Sequence, residues 1–463
     1  MPKIPPVFSR SAALAIALVW VGLTGQVVDA RVRPPKLEYK HVTLPNGLNV
    51  ILHEDHSTPI VHLQLWYHVG SKDEKAGRTG FAHLFEHMMF QGSKNVGREQ
   101  HNSLIASVGG ESNAYTTEDA TVFWETLPSN YLPLILWLEA DRMATLKLDQ
   151  ESFSRERNVV KEERRQKIEN PPYGRLPELV AEHAFMVHPY KHVVMGSMAD
   201  LEAASIEDVR EFHQTYYVPE NAVLVLAGDF DTTDAVALVE KYFGRVPKAA
   251  KPLKRDIPVE PKQEKERRLT VYENVPLPAV VVAHHITFDG HPDSYPLHIA
   301  SKVLSDGQSS RIYRKLVYED QIALAAFGGG NIIENPNLFF ATAIVQPGQS
   351  PEKVEKALAA ELDRLRLEPI TEHELERTKN QFARDYILGR QTVQDKASAL
   401  AHAMVLHQGQ LSTADGEFDI FMNTKVSDVQ RVARTYFTPD TRLVLTILPK
   451  GSAPSGGAAG PGL

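Results

Sequence analysis

Two histidines and a glutamate crowd together in the run Gly80-Phe81-Ala82-His83-Leu84-Phe85-Glu86-His87-Met88-Met89-Phe90. After its first residue the run has neither Gly nor Pro and is rich in helix formers, so a helix is expected. On that helix His83 and His87 stand four residues apart, both imidazoles leave one face, and together they can hold one divalent cation. Glu86 lies beside them, three residues after His83. The order H-x-x-E-H reverses the H-E-x-x-H zinc helix, and the same geometry sets a carboxylate over a water held by the ion. The apolar neighbours Phe81, Leu84, Phe85 and Met88 would bury the helix.

A catalytic zinc ion takes three protein ligands and keeps its fourth position open, so a third ligand must come from another element. Ser154 to Lys167 predicts a charged helix on which Glu156, Val159, Val160 and Glu163 fall at i, i+3, i+4 and i+7 and share one inward stripe. Carboxylates on such a stripe are costly to bury unless something pairs with them, and a cation with its histidines would do so. Glu162 falls off the stripe, so periodicity favours Glu163.

The elements that would carry these residues are written twice. Asp208-Val209 followed by Thr215-Tyr216-Tyr217-Val218-Pro219 recurs 220 positions later as Asp428-Val429 followed by Thr435-Tyr436-Phe437-Thr438-Pro439. Each copy ends in an apolar run with strand character, Ala222 to Ala227 and Leu443 to Leu448. Glu156-Arg157 matches Glu376-Arg377 at the same offset. Between the copies, residues 246 to 268 carry Pro247, Pro252, Pro258 and Pro261 among many charges and predict an extended linker. In the first copy Asn46-Gly47 suits a two-residue hairpin turn within Val42 to Leu52, and Ile60 to Val69 alternates as a strand. Such hairpins exclude a purely parallel sheet, and the class is α+β.

The spacing His83, Glu86, His87, followed by Glu163 with Glu156 seven residues before it, resembles the pitrilysin or insulinase family of inverzincin metallopeptidases. The bacterial members of mitochondrial-processing-peptidase size are the most similar. The likeness spans about residues 38 to 450 and includes the duplication and the segment Ser112-Asn113-Ala114-Tyr115-Thr116. It implies two homologous domains, each a mainly antiparallel sheet with helices packed on it and each half of a clamshell. It implies one Zn2+ per chain held by His83, His87 and Glu163, with Glu86 as general base. Glu156 becomes the residue that orients a ligating imidazole, its alternative being a plain helix-surface glutamate. Asn113 and Ala114 fall on an edge strand to which an extended peptide substrate adds.

The second copy carries no such site, because the same offset puts Val303, Asp306 and Gly307 at the motif and Ala383 at Glu163. Members of this family usually carry an arginine and, seven residues on, a tyrosine that hold the substrate in that half. Matching the segment after Ser309-Ser310-Arg311 puts Val317 and Leu324 there, with Tyr318 one place out of register. The resemblance therefore implies a zinc-bearing subunit completed by a homologous partner supplying Arg and Tyr. A homodimer using Tyr318, Arg311 or Arg314 is one alternative, and a non-catalytic subunit of the same fold is another.

The chain has 463 residues, a formal charge of -8 and a pI near 6.2, which offers no basic surface to neutralise phosphates and gives no support to a nucleic-acid partner. Lys3 and Arg10 precede the apolar run Ala12 to Leu23, and Val28-Asp29-Ala30 supplies small residues for cleavage after Ala30. The run falls short of the roughly 20 residues of a spanning helix. Residues 1–30 are expected to be an export signal that leaves a periplasmic protein with no stable membrane insertion. The absence of cysteine excludes disulfides and a lipid-modified amino-terminal Cys. The expected plan is a metal-binding domain at 31–245, the linker at 246–268, a homologous domain at 269–450 and a Gly/Ala/Pro/Ser tail at 451–463.

Overall fold

The computed structural model describes residues 33–452. The expected export signal and nearly all of the tail lie outside them. The first half runs β1 (Lys40–Thr43), β2 (Asn49–Glu54), β3 (Ile60–Tyr67), α1 (Phe81–Met88), α2 (Gln100–Ser107), β4 (Glu111–Thr116), β5 (Thr121–Pro128), α3 (Leu132–Thr145), α4 (Gln150–Arg164), α5 (Leu176–Ala184), α6 (Met198–Ala203), α7 (Ile206–Tyr216), β6 (Ala222–Gly228) and α8 (Thr232–Phe243). The second repeats it with β7 (Arg267–Glu273), β8 (Ala279–His285), α9 (Ser294–Ser305), α10 (Arg311–Tyr313), β9 (Ala323–Gly330), β10 (Leu338–Val345), α11 (Pro351–Leu367), α12 (Glu372–Leu388), α13 (Val393–Val405), α14 (Thr413–Asn423), α15 (Val426–Tyr436) and β11 (Arg442–Pro449).

Sheet order shows the duplication directly. The first sheet is β1-β2-β6-β3-β5-β4 and the second β7-β11-β8-β10-β9, the same path without the β1 hairpin. In each, one pair is parallel, β2 with β6 and β7 with β11, and the other pairs are antiparallel. The repeated Asp-Val pair is a helix start. Asp208 accepts from the Ser205 backbone N–H at 3.0 Å and Asp428 from that of Lys425 at 2.9 Å, while Val209 and Val429 are buried.

The β1–β2 hairpin differs from expectation. Leu44 and Leu48 close a three-residue loop, Pro45-Asn46-Gly47, with Gly47 at φ 92°. The Asn46 amide donates to the carbonyls of Phe243 (2.9 Å) and Val246 (3.0 Å), so the loop is fixed from outside the hairpin.

The central strands of both sheets are covered on both faces, which explains the unbroken apolar runs of β6 and β8. On β6, Leu224 and Leu226 enter the core beneath α1, α3, α7 and α8, whereas Val223, Val225 and Ala227 pack against Ala397, Leu400 and Ala401 of α13. On β8 and β11, Val281, Ala283, Leu443 and Leu445 pack against Leu179 and Val180 of α5. The two halves thus exchange equivalent helices, α5 covering the second sheet and α13 the first. Residues 37–452 form one compact unit.

Candidate metal centre

Helix α1 is held from its first turn. The buried Glu74 carboxylate accepts from the backbone N–H groups of Gly80 and Ala82, at 2.8 Å each, and satisfies donors that a helix start leaves open. Gly196, at φ 59°, lies so close to the Thr79–Gly80 peptide that a Cβ there would come within 2.1 Å of the Thr79 carbonyl carbon. Sequence periodicity gives no sign of either device. Phe81, Leu84, Phe85 and Met88 are buried as expected, leaving His83, Glu86 and His87 on the opposite side.

Helix α4 begins at Asp149, whose side chain accepts from the Ser152 N–H. Its inward stripe is Phe153, Glu156, Val160 and Arg164 rather than the one expected, since Val159 is 45% exposed. Glu163 borders that stripe and reaches α1. Its Oε2 lies 3.3 Å from His87 Nε2 and 3.7 Å from His83 Nε2. Ligand atoms bonded at about 2.0–2.2 Å to one tetrahedral ion stand roughly 3.3–3.5 Å apart, so these separations and this donor set fit zinc. Glu162 points away and is bound to Arg165 and Gln166.

Glu156 is 7% exposed, with Oε2 3.6 Å from His87 Nδ1, so it is no surface glutamate. Lys167 Nζ donates to Glu163 Oε1 at 2.5 Å, leaving Oε2 toward the histidines. Burial, reinforced by the neighbouring His87, pushes His83 down to about 4. Burial opposes the charge on His87 too, but contact with Glu156 and the charges of Glu163 and Glu86 hold its pKa above the ordinary histidine value. Burial acts against the Glu163 charge, yet Lys167 and the two imidazoles hold its carboxyl below the usual range. Neutral His83 facing the ionised Glu163 carboxylate is the state a divalent cation binds, whereas His87 must give up its proton to bind one.

Burial pushes the Glu86 carboxyl up, opposed by the Thr116 hydroxyl, which donates to its Oε2 at 2.5 Å. Thr116 ends β4, the strand carrying Asn113 and Ala114. Among the described residues that strand pairs only with β5 and stands at the sheet edge, with Asn113 exposed and Ala114 packed against the core. A cavity of about 450 Å³ is bounded by Glu118, Lys167, Phe185, Tyr190, Val194 and Phe340, and so draws its walls from both halves.

Two other close histidine pairs do not share a ligand face. His188 and His192 flank a single turn at Pro189–Lys191, and His284 and His285 alternate on β8. Of the residues at the equivalent positions in the second half, Val303 is buried in α9, and Asp306 and Gly307 follow the helix end. A cluster that sequence reasoning missed, His101, Glu125 and Glu139, is wholly buried, but Arg142 occupies it through a close pair with Glu139.

Residues 49–197, which include His83, Glu86, His87, Glu156 and Glu163, match the family model described as Insulinase (Peptidase family M16). Residues 203–382 match the one described as Peptidase M16 inactive domain. The chain is similar to the zinc protease PqqE of Helicobacter pylori, 30% identical over 433 residues covering 93% of this chain and 97% of that one. It is 25% identical to an uncharacterized zinc protease, YmxG, of Bacillus subtilis, covering 90% and 100% of the two chains. The crystal structure of a protease from Helicobacter pylori superposes with a TM-score of 0.85 at 30% identity, covering 90% of this chain and all of that one. With a family model on each half and relatives matched end to end, this chain belongs to the insulinase family of peptidases, family M16.

Proposed function

We propose that this chain is a zinc-dependent endopeptidase that cleaves short or unfolded peptides. The observation that carries the reading is the triangle of His83, His87 and Glu163 with Glu86 beside it and an unpaired strand edge one hydrogen bond away. Bound zinc would polarise the scissile carbonyl and acidify a water. Glu86 takes the proton of the attacking water and passes it to the leaving amine, and burial has raised its carboxyl toward the pKa such a shuttle needs. Thr116 fixes the Glu86 oxygen that is not transferring the proton. Glu156 orients His87 through Nδ1. An extended substrate adds to β4 at Asn113 and Ala114, and its side chains enter the cavity next to Lys167.

The chain is further proposed to act with a homologous subunit after export to the periplasm. The apolar leader supports export. Val317 packs against the second core and Leu324 is a half-exposed strand residue, so neither offers a polar group where the family holds substrate. Arg311 is engaged by Glu374 at 2.8 and 2.9 Å, which leaves Tyr318 and Arg314 for the homodimer alternative. The non-catalytic reading is disfavoured by the complete set of metal-type residues in the first half. The test is to purify the chain, load it with zinc and assay an unstructured peptide alone and with candidate partners. No hydrolysis under any of these conditions would sink the peptidase reading. Full activity alone, abolished by Tyr318→Phe, would sink the split site.

A further inference from the structure

The His83–His87–Glu163 triangle has a counterpart that the peptidase reading does not use. Asp289 lies in the loop leaving β8, His402 on the last turn of α13 and His407 just beyond that helix. Asp289 Oδ2 is 3.3 Å from His402 Nε2 and 3.0 Å from His407 Nε2, and one ligand atom from each residue lies within 4.8 Å of the others. The imidazole rings of His402 and His407 have centroids 5.1 Å apart at 83°, against 4.9 Å and 79° for His83 and His87. The donor set is again two imidazoles and one carboxylate.

His407 supplies the second observation. Its Nδ1 is 2.7 Å from the Thr413 hydroxyl, and that hydroxyl donates its one proton to the Gln410 carbonyl at 2.7 Å. The hydroxyl oxygen can then only accept, so Nδ1 carries a ring proton and Nε2 is the ring atom turned toward Asp289. The side chain is 3% exposed, and Nε2 has no hydrogen-bond partner although Asp289 Oδ2 is 3.0 Å away. A buried imidazole nitrogen facing a carboxylate at this distance needs a proton or a metal ion between them. Thr413 plays the part that fixes the tautomer of a metal-bound histidine.

A cavity of about 330 Å³ lined by Asp289, His298, His402 and Glu417 adjoins two of the three residues and leaves room for a water in a fourth position. The cluster also sits at a mechanically useful place. His402 belongs to the helix that crosses to cover the first sheet, whereas Asp289 belongs to the second sheet's own loop.

We propose that Asp289, His402 and His407 form a second divalent-metal site, suited to zinc, that staples α13 to the second half and so strengthens the docking of the two halves.

The test uses the full chain, stripped of metal, reloaded with zinc, freed of excess and assayed for zinc per chain. Wild type is expected to hold two ions and His402→Ala one. His83→Ala/His87→Ala should also hold one, and the triple variant none. Adding zinc should raise the unfolding temperature of His83→Ala/His87→Ala and leave that of the triple variant unchanged. His402 is 42% exposed, so its removal leaves the buried His407 packing in place, and Asp289→Asn provides a second, isosteric variant. A His83→Ala/His87→Ala protein that binds no zinc overturns the proposal. So does one whose zinc survives both His402→Ala and Asp289→Asn. These counts do not involve peptide hydrolysis, so they stand or fall apart from the peptidase reading.

Discussion

The Thr116 hydroxyl donates to Glu86 Oε2 at 2.5 Å, and so ties the residue we assign as general base to the end of the exposed strand β4. In the proposed mechanism, substrate position and proton transfer are thereby coupled through one hydrogen bond. Glu86→Gln is expected to keep its zinc and lose about 10²- to 10⁴-fold in kcat. Thr116→Val, which removes only the tether, should cost roughly tenfold at unchanged zinc content. Peptide hydrolysis measured alongside metal content checks both, and loss of zinc from Glu86→Gln would place Glu86 among the ligands instead.

The ligand assignment makes a sharper contrast on α4. Glu163→Gln, His83→Ala and His87→Ala are each expected to release the active-site ion, whereas Glu162→Gln, whose side chain is turned to Arg165 and Gln166, should retain it. In a His402→Ala background, zinc content reports this ion by itself. Retention of zinc by Glu163→Gln there, with loss from Glu162→Gln, would reverse the two roles.

Gly196 tests whether α1 is positioned from outside. With φ at 59° and no space for a Cβ against Thr79, Gly196→Ala must displace the start of the helix. A backbone clash of this kind costs more than the roughly 1 kcal/mol of the conformation itself. The expected result is a lower unfolding temperature together with weaker zinc binding, measured by competition with a chelator. Unchanged zinc affinity would mean that α1 is held by its core face alone.

The helix carrying His83, Glu86 and His87 was legible in the sequence because i, i+4 spacing is local, and the duplication was legible because the same helix cap recurs at Asp208 and Asp428. Other features depend on tertiary neighbours. The apolar runs of β6 and β8 announce strands buried on both faces but not that α13 and α5 cross over to cover them. Val159 sits at a helical interval from Glu156 yet faces out, because the buried stripe runs through Phe153 and Val160. His402 and His407 are five residues apart and straddle a helix end, so no periodicity joins them to Asp289.

The helix exchange predicts that the halves unfold together. Ala397 and Ala401 of α13 are fully buried against Val223 and Val225 of the first sheet, where a larger side chain has no room. Ala401→Leu is expected to destabilise by about 1–3 kcal/mol through overpacking. Because α13 belongs to one half and covers the other, a single transition should shift as a whole in calorimetry. A variant with two separated transitions, only one of them moved, would show that the halves are independently stable.

The last prediction concerns acid and the contact between the halves. Lys72, almost fully buried in the first half, donates to Asp119 at 2.8 Å and forms a close ion pair with Glu334 of the second half, which also accepts from His68 at 2.7 Å. Burial works against the Glu334 charge, but His68 and Lys72 prevail and hold its carboxyl at about 2, below the 4.5 of an unperturbed glutamate. A group whose folded pKa is depressed contributes stability that is fully present above its unfolded value and is lost as pH falls through the folded one. The window therefore runs from about pH 4.5 down to about pH 2, and the linked free energy is on the order of 3 kcal/mol. Glu334→Gln should be less stable than wild type at neutral pH and approach it as the pH falls through that window, because protonation removes from wild type what the substitution has already removed. Denaturant unfolding at a series of pH values measures the difference. Parallel stability curves for the two proteins from about pH 6 to about pH 2 would mean that Glu334 is not held ionised by Lys72 and His68 in the folded chain.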